Sequence, residues 1–304
     1  MFVFLSLIRS HVIFIFGLSS IRVGGVHSFA MSKNEIERPS IKSLLHRAQT
    51  LRQQIFSDGI ALSFLSDPTQ LAYPSSKYTM ISDSKVSHRG FCNWLLPNVI
   101  MIGQYPGMTP ETNGPSQKEC FIHIKNMVCD ANISLFCCLQ SEVPCQSDDD
   151  AWTEEIYLEP YYRREFPRPF TRYGEIAKEF SNEPIEFIHN PIEDLSVPTC
   201  NDSLLDLLSR LIHHLEANDH NNAIYIHCWG GRGRAGLVGS CLLSLLFPEL
   251  KSDNVLSFVQ NAYNTRLGAG DMPLGLRRSP QTEQQRLFVR EFVSLVHNAK
   301  TQEH

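Results

Sequence analysis

One stretch constrains the fold more than any other: between residues 223 and 247 an apolar strand-like run, a glycine-crowded loop and an apolar helical run follow without a spacer. Ala223-Ile-Tyr-Ile-His227 has the residue types of a strand buried on both faces. The loop His227-Cys-Trp-Gly-Gly-Arg-Gly-Arg-Ala-Gly236 comes next, and 235–247 reads as a helix. Glycines at 230, 231, 233 and 236 let a backbone curl with its N–H groups turned inward. The N-terminal end of the helix adds partial positive charge. Such a loop is suited to holding an oxyanion. Arg234 can grip two oxygens in a bidentate fork. Cys228 is expected at the floor of the same ring of donors, where that field stabilises a thiolate. A thiolate beneath a bound oxyanion is an aimed nucleophile.

The surrounding chain alternates short apolar runs with amphipathic segments. Residues 99–103, 133–139 and 184–189 read as strands, and 116–128, 204–215, 253–266 and 282–296 as helices. This order predicts an α/β domain over 89–300, with a mostly parallel central sheet flanked by helices. Residues 31–88 read as a partly helical extension. Within it 41–56 carries apolar positions at helical spacing, and 57–88, rich in Ser, Asp and Pro, reads as irregular. A surface insertion is expected at about 141–170. Its Asp148-Asp-Asp150 reads as a solvated loop, since adjacent Asp side chains do not converge on one ion.

Composition narrows the classes further. Apolar residues make up 42% and charged residues 19%, which excludes a disordered or coiled-coil chain. The formal charge of −5 argues against a nucleic-acid binder that relies on overall charge. Nine cysteines, with no CxxC pair and no zinc-like spacing, read as free thiols in a reducing compartment, with no metal site. Cys137 and Cys138 read as small buried hydrophobes in a strand.

Residues 1–30 stand apart, with Arg9, Arg22, no acidic residue before Glu35 and a short apolar core at 12–18. That pattern suits a targeting segment. Three readings stay open: a cleaved presequence, translation from Met31, or a retained signal anchor. A start at Met31 implies a cytoplasmic protein; a presequence implies a plastid, a mitochondrion or entry to the secretory route. No interior run has the length and apolarity of a membrane span, so none is expected once the N-terminal segment is removed.

The His-Cys-x5-Arg loop, here His227, Cys228 and Arg234, resembles the signature of the cysteine-dependent protein tyrosine phosphatase superfamily. Its Gly-Gly filling is similar to that of dual-specificity members, the cyclin-dependent kinase-associated phosphatases among them. The resemblance covers roughly 89–298 and implies phosphomonoester hydrolysis through a cysteinyl-phosphate, without metal or other cofactor. The backbone of Trp229, Gly230, Gly231, Arg232 and Gly233 would hold the phosphate with Arg234. Arg232 leaves two readings, a substrate contact or a solvated side chain outside the loop. His227 is implied to orient the loop and to favour the thiolate.

Two further motifs carry the resemblance. Asn190-Pro-Ile-Glu-Asp-Leu-Ser-Val-Pro198 is similar to the family's acid loop, which implies that Asp194 protonates the leaving oxygen; Glu193 is the neighbouring candidate. Such general acid help is worth ~10²–10⁴-fold. Ser279-Pro-Gln-Thr-Glu-Gln-Gln-Arg-Leu287 is similar to the family's glutamine loop. Gln281 and Gln285 lie one helical turn apart, so both amides can face one water. The implied role is to place the water that releases phosphate. One departure stands out. The family usually has Ser or Thr after the loop arginine, whose hydroxyl supports the departing thiolate, whereas Ala235 follows Arg234 here, as in the phosphatases of regenerating liver. Slow turnover or an accumulating intermediate is therefore expected.

The expected partner is a phosphorylated protein, at phospho-Tyr and also phospho-Ser/Thr, with no nucleic acid. Alternatives are a phosphoinositide or inositol-phosphate phosphatase, or a slow or non-hydrolysing phosphate-binding pseudophosphatase. A rhodanese-like or arsenate-reductase-like thiol enzyme is a further class, which has no use for Asp194 and the two glutamines. Cys241 reads as a core thiol, or as a disulfide partner of Cys228 under oxidation.

Overall fold

A computed structural model describes residues 38–57, 62–82, 85–152, 168–217 and 222–302, all within one compact unit, Arg38–His304. The 1–30 segment and the middle of the 141–170 insertion lie outside the described residues. Chain order is α1 (Ile41–Ser57), β1 (Lys77–Ser82), β2 (Lys85–Gly90), β3 (Cys92–Leu96), β4 (Ile100–Gln104), α2 (Gln117–Lys125), β5 (Ile133–Gln140) and α3 (Gly174–Glu179). There follow β6 (Glu186–Ile192), α4 (Asn201–Ala217), β7 (Ala223–Cys228), α5 (Arg234–Leu246), α6 (Ser252–Asn264) and α7 (Glu283–Thr301).

Five strands form one sheet in the order β3-β4-β7-β5-β6. The last four run parallel, and β3 pairs antiparallel with β4 at one edge. The α/β fold with a mostly parallel sheet and flanking helices is thus the observed one. Central β7 is buried at every position, as expected for a parallel strand covered on both faces. Helix α5, with Leu, Val, Ala and Gly all round, is also buried throughout. It lies against β4 and β7 and packs on α1, α6 and α7. Its burial fixes where the loop before it must sit.

Helix α1 buries Leu44, Leu45, Ala48, Leu51 and Ile55, one stripe at helical spacing, against α4, α5 and α7. Arg47 pairs with Glu216 of α4 at 2.7 Å, and Gln49 Nε2 donates to the Leu245 carbonyl at 2.9 Å. Residues 38–57 are therefore part of the same core as the sheet.

Local differences from the sequence reading have physical causes. The segment expected to be irregular contains two short 3-10 turns and an antiparallel hairpin, β1–β2, with Lys77 opposite Gly90 and Ser82 opposite Lys85. Only Arg89 of β2 is buried, so no apolar alternation betrays it. Strand β3 is buried at all five positions and escapes a period-two search for the opposite reason. The helix expected over 116–128 starts at a Ser116–Glu119 capping box and ends at Lys125. A π turn over Asn126–Asp130 continues it.

On the face of the sheet opposite α5, His123 of α2 stacks on Phe91 with ring centroids 4.0 Å apart and meets Tyr225 edge-on. Both its ring nitrogens are buried without a partner, and burial lowers its pKa to about 3. An unfolded chain takes up this proton near pH 6.5, while the folded one resists until about pH 3. Stability conferred by the neutral ring is thus present above pH 6.5 and is lost as pH falls, at about 1.4 kcal/mol per pH unit within that window. Thermal melts between pH 7 and 4 should show a steeper acid-side decline for wild type than for His123→Leu; parallel curves would refute the assignment.

Candidate active site

The strand–loop–helix junction lies at the C-terminal edge of the parallel strands, where open α/β sheets bind ligands. Register places Cys228 opposite Gln104 of β4, and His227 opposite Cys138 of β5. The loop then folds down onto β4. Gly231 has φ +65°, and a Cβ there would lie 2.0 Å from the Gly103 carbonyl carbon. Only glycine satisfies both demands. Arg266, just beyond α6, grips the loop from behind. Its Nη2 donates to Gly231 O (2.6 Å) and Ile102 O (3.0 Å), its Nη1 to Gly230 O (3.4 Å) and its Nε to Asn93 Oδ1 (2.6 Å). With the loop carbonyls held this way, no N–H from Gly230 to Gly233 donates to another described backbone group.

Above the loop is a cavity of about 530 Å³, and it gathers most of the residues singled out in the sequence. Cys228, Trp229, Gly230, Arg232, Gly233, Arg234, Asp194, Gln281 and Gln285 all line it. Gly231 is pressed against β4, outside that lining, and His227 lies behind the loop, fully buried. Glu193 is exposed and does not line the cavity, so the geometry separates it from Asp194.

Arg234 is 1% exposed, and both of its terminal nitrogens have partners. Its Nη1 donates to Glu142 Oε2 (2.7 Å) and Ile192 O (3.0 Å), and its Nη2 to Glu142 Oε1 (3.0 Å). Asp194 Oδ1 lies 3.0 Å from the same Nη2. Burial works against the guanidinium charge, but Cys228, Glu142 and Asp194 around it hold its pKa above the ordinary arginine value. The acid loop is braced from α7: Thr282 Oγ1 donates to Leu195 O, and Gln285 Nε2 donates to Ser196 O at 2.9 Å. Leu195, beside Asp194, takes φ +61°, which only this bracing makes tenable for a residue with a Cβ.

The glutamines divide their work. Gln285 is fully buried, and its Oε1 accepts from the backbone N–H groups of Gln281 and Thr282. It completes the capping box of α7 with Thr282, so this amide is spent on structure instead of standing free beside Gln281. Gln281 Oε1 accepts from Arg232 Nε at 3.2 Å. Arg232 is half-buried and faces the cavity, not the solvent side of the loop.

His227 Nε2 shares a 2.6 Å hydrogen bond with the Tyr173 hydroxyl. Burial, with His189, His123 and Arg234 adding to it, pushes His227 well below the usual histidine range. The ring anchors the strand end through its hydrogen bond with Tyr173. Cys241 is fully buried in α5, and burial raises its pKa. Sequence reasoning missed Glu142, Tyr173 and Arg266. Each acts across 36 to 92 residues of chain, and no local pattern marks it.

Residues 171–269 match the family model described as the PTP-SAK, Swiss Army Knife protein, DSP-PTPase phosphatase domain. Over those residues the chain is similar to dual-specificity phosphatases of the protein tyrosine phosphatase superfamily. No curated protein matches it. Among solved structures, it is similar to a kinase-associated phosphatase with its catalytic-site cysteine substituted by serine, at 15% identity and TM-score 0.43, over 74% of this chain and 97% of that one. It is also similar to the Trypanosoma brucei protein tyrosine phosphatase TbPTP1, at 14% identity and TM-score 0.42, over 84% of this chain and 94% of that one. For PTPMT1 the figures are 12% and 0.39, over 68% and 96%.

Because Arg266 holds this phosphatase's loop by two carbonyls, Arg266→Met leaves buried oxygens unmet at ~1–3 kcal/mol each. The variant should melt at lower temperature and bind inorganic phosphate at least tenfold more weakly, the loss of ~1.4 kcal/mol. Phosphate affinity equal to wild type by calorimetry would show that Arg266 does not shape the loop.

Proposed function

We propose that the phosphatase acts through a cysteinyl-phosphate on phosphorylated proteins, at phospho-Tyr and also phospho-Ser/Thr. One observation carries this reading: Cys228, Arg234 and Asp194 meet in one cavity, where the N–H groups of residues 230–233 donate to no backbone group among the described residues. A phosphomonoester enters with its oxygens on those N–H groups and on Arg234, which supply preorganised stabilisation of developing charge. Of the two carboxylates on Arg234, Glu142 is buried and Asp194 is 35% exposed at its side chain. The arriving phosphoryl oxygens take over the Arg234 contact of Asp194, the only one of the two with room to swing. Cys228 sulfur then attacks phosphorus in line, forming the S–P bond as the P–O bond to the leaving group breaks. Asp194 in its acid form gives that oxygen its proton.

In the second half, Asp194 takes a proton from a water held by Gln281, the water oxygen bonds to phosphorus, and the S–P bond returns its electrons to sulfur. Gln285 serves by fixing the acid loop. Ala235 supplies no hydroxyl to the departing thiolate, so this half is the slow one.

Cys228→Ser should abolish hydrolysis of p-nitrophenyl phosphate; undiminished activity would falsify the mechanism. Asp194→Ala should lower kcat ~10²–10⁴-fold on poorly leaving alkyl and seryl phosphates. Its effect should be much smaller on p-nitrophenyl phosphate, whose anion leaves unaided. Equal losses on both would remove Asp194 from the acid role.

For Ala235, rapid mixing should give a burst of p-nitrophenol followed by slow turnover. Ala235→Ser should speed the slow phase by roughly tenfold or more, the worth of one hydrogen bond to a charged group. A linear time course without a burst, unaltered by the serine, would show that S–P breakdown is not limiting.

A further inference from the structure

Away from Cys228 and Arg234, the same cavity has a second cationic wall that the mechanism above does not use. Arg89, next to last in β2, lines it although it is only 7% exposed. One of its terminal nitrogens, Nη1, donates to the Gly268 carbonyl, while its Nε is buried without a partner. Buried donors are ordinarily met, because an unmet one retains the whole cost of leaving water. Arg232 folds into the cavity over Gly230, where an added Cβ would lie 2.8 Å from its Nη1.

Between them stands Tyr78, whose hydroxyl is close enough to Arg89, Arg232 and Glu111 to feel all three. It donates to Gln104 Oε1 at 3.4 Å. Burial, with Glu111 adding to it, pushes this phenol up to about 12, so it remains a neutral donor. Glu111 Oε1 accepts from Trp229 Nε1 at 2.5 Å, and its Oε2 is buried without a hydrogen-bond partner. Two guanidiniums and one carboxylate leave this wall one positive charge. Arg234 is not part of it, since that guanidinium lies at the floor and is faced by its own carboxylates, Glu142 and Asp194.

We propose that Arg89 and Arg232 form a second anion subsite, and that the preferred substrate is a phosphopeptide bearing another acidic side chain, a carboxylate or a second phosphate, near the phosphorylated residue. This rests on the phosphatase reading and adds to it what lies beside the scissile phosphate. A single net charge fits one further anion. The apolar Met80, Met272 and Leu276 in the same lining suit a peptide chain, whereas a polyphosphorylated ring needs a donor for each group. No lysine lines the cavity to serve such a ring.

The test uses phosphotyrosyl peptides differing only at the flanking position, with Ala, Glu or phospho-Ser, and inositol 1,4-bisphosphate as the non-peptide arm. Binding to the full-length Cys228→Ser protein by calorimetry reads the subsite without turnover, so it stands apart from any failure of the proposed chemistry. The Glu and phospho-Ser peptides should bind about tenfold more tightly than the Ala peptide, the scale of one charge-assisted hydrogen bond. In Cys228→Ser carrying Arg89→Gln the ratio should fall towards one, and Arg89→Lys should keep part of it. A fold weakened by losing the Gly268 contact lowers all peptides alike and leaves the ratio in place. Equal affinity for all three peptides, or a ratio that survives both Arg89→Gln and Arg232→Gln, would overturn the subsite. Tighter binding of the inositol bisphosphate than of any peptide would overturn the peptide assignment.

Discussion

The guanidinium of Arg234 is buried where three separate stretches of chain meet, and the site takes its shape from how that charge is met. Glu142 follows β5, Ile192 ends β6, Asp194 lies in the acid loop and Arg234 itself opens α5. A buried ion pair gains little over an apolar core of equal volume, but removing one partner strands the other at a cost of ~3–5 kcal/mol. The ends of β5 and β6 and the start of α5 are therefore held to one another by a charge that the buried Glu142 has no room to release. That places a carboxylate 3.0 Å from the loop arginine.

A second arginine solves a different problem. The glycines of 230–233 allow the loop many conformations, and glycine freedom alone selects none of them. Arg266 ties two loop carbonyls to the sheet, and Gly231 presses against Gly103, so the backbone is pinned from behind. The N–H groups of 230–233 meanwhile donate to no backbone group among the described residues. Arg234 organises charge in the cavity, and Arg266 organises backbone beneath it. Exchanging either for lysine would lose the fork geometry each depends on.

These dependencies explain what was legible in the sequence. The segment from Ala223 to Phe247 could be read because its information is local: an unbroken apolar strand, glycines where the chain must bend, and an apolar helix. Asp194 and the start of α7 were legible by resemblance. The partners Glu142, Tyr173 and Arg266 were not, since a single Glu, Tyr or Arg far along the chain has no periodicity to mark it. Gln285 shows a subtler limit. Thr282-x-x-Gln285 is at once the expected water-holding motif and a capping box, and only the hydrogen bonds from Gln281 and Thr282 to its Oε1 separate the two uses. The hairpin β1–β2 was hidden by its polar faces, and β3 by having no polar face at all.

The parts of the cavity also differ in what the fold requires of them. Its floor, Cys228 to Arg234, joins a fully buried strand to a fully buried helix, so a change there disturbs the core. Its walls come from elsewhere: Tyr78 and Met80 from a hairpin that forms its own two-stranded sheet, Glu111 from the segment after β4, and Met272 and Leu276 from the segment after α6. Tyr78, Met80 and Glu111 lie outside the matched residues 171–269, as do Met272 and Leu276. The exposed hairpin positions, Lys85, Val86 and His88 among them, can change with little effect on core packing. A sheet that fixes the geometry of the 228–234 loop and a hairpin that borders the space beside it form separable layers. Differences in substrate among proteins sharing this loop are then expected to reside in the walls, where the stability of the fold imposes least.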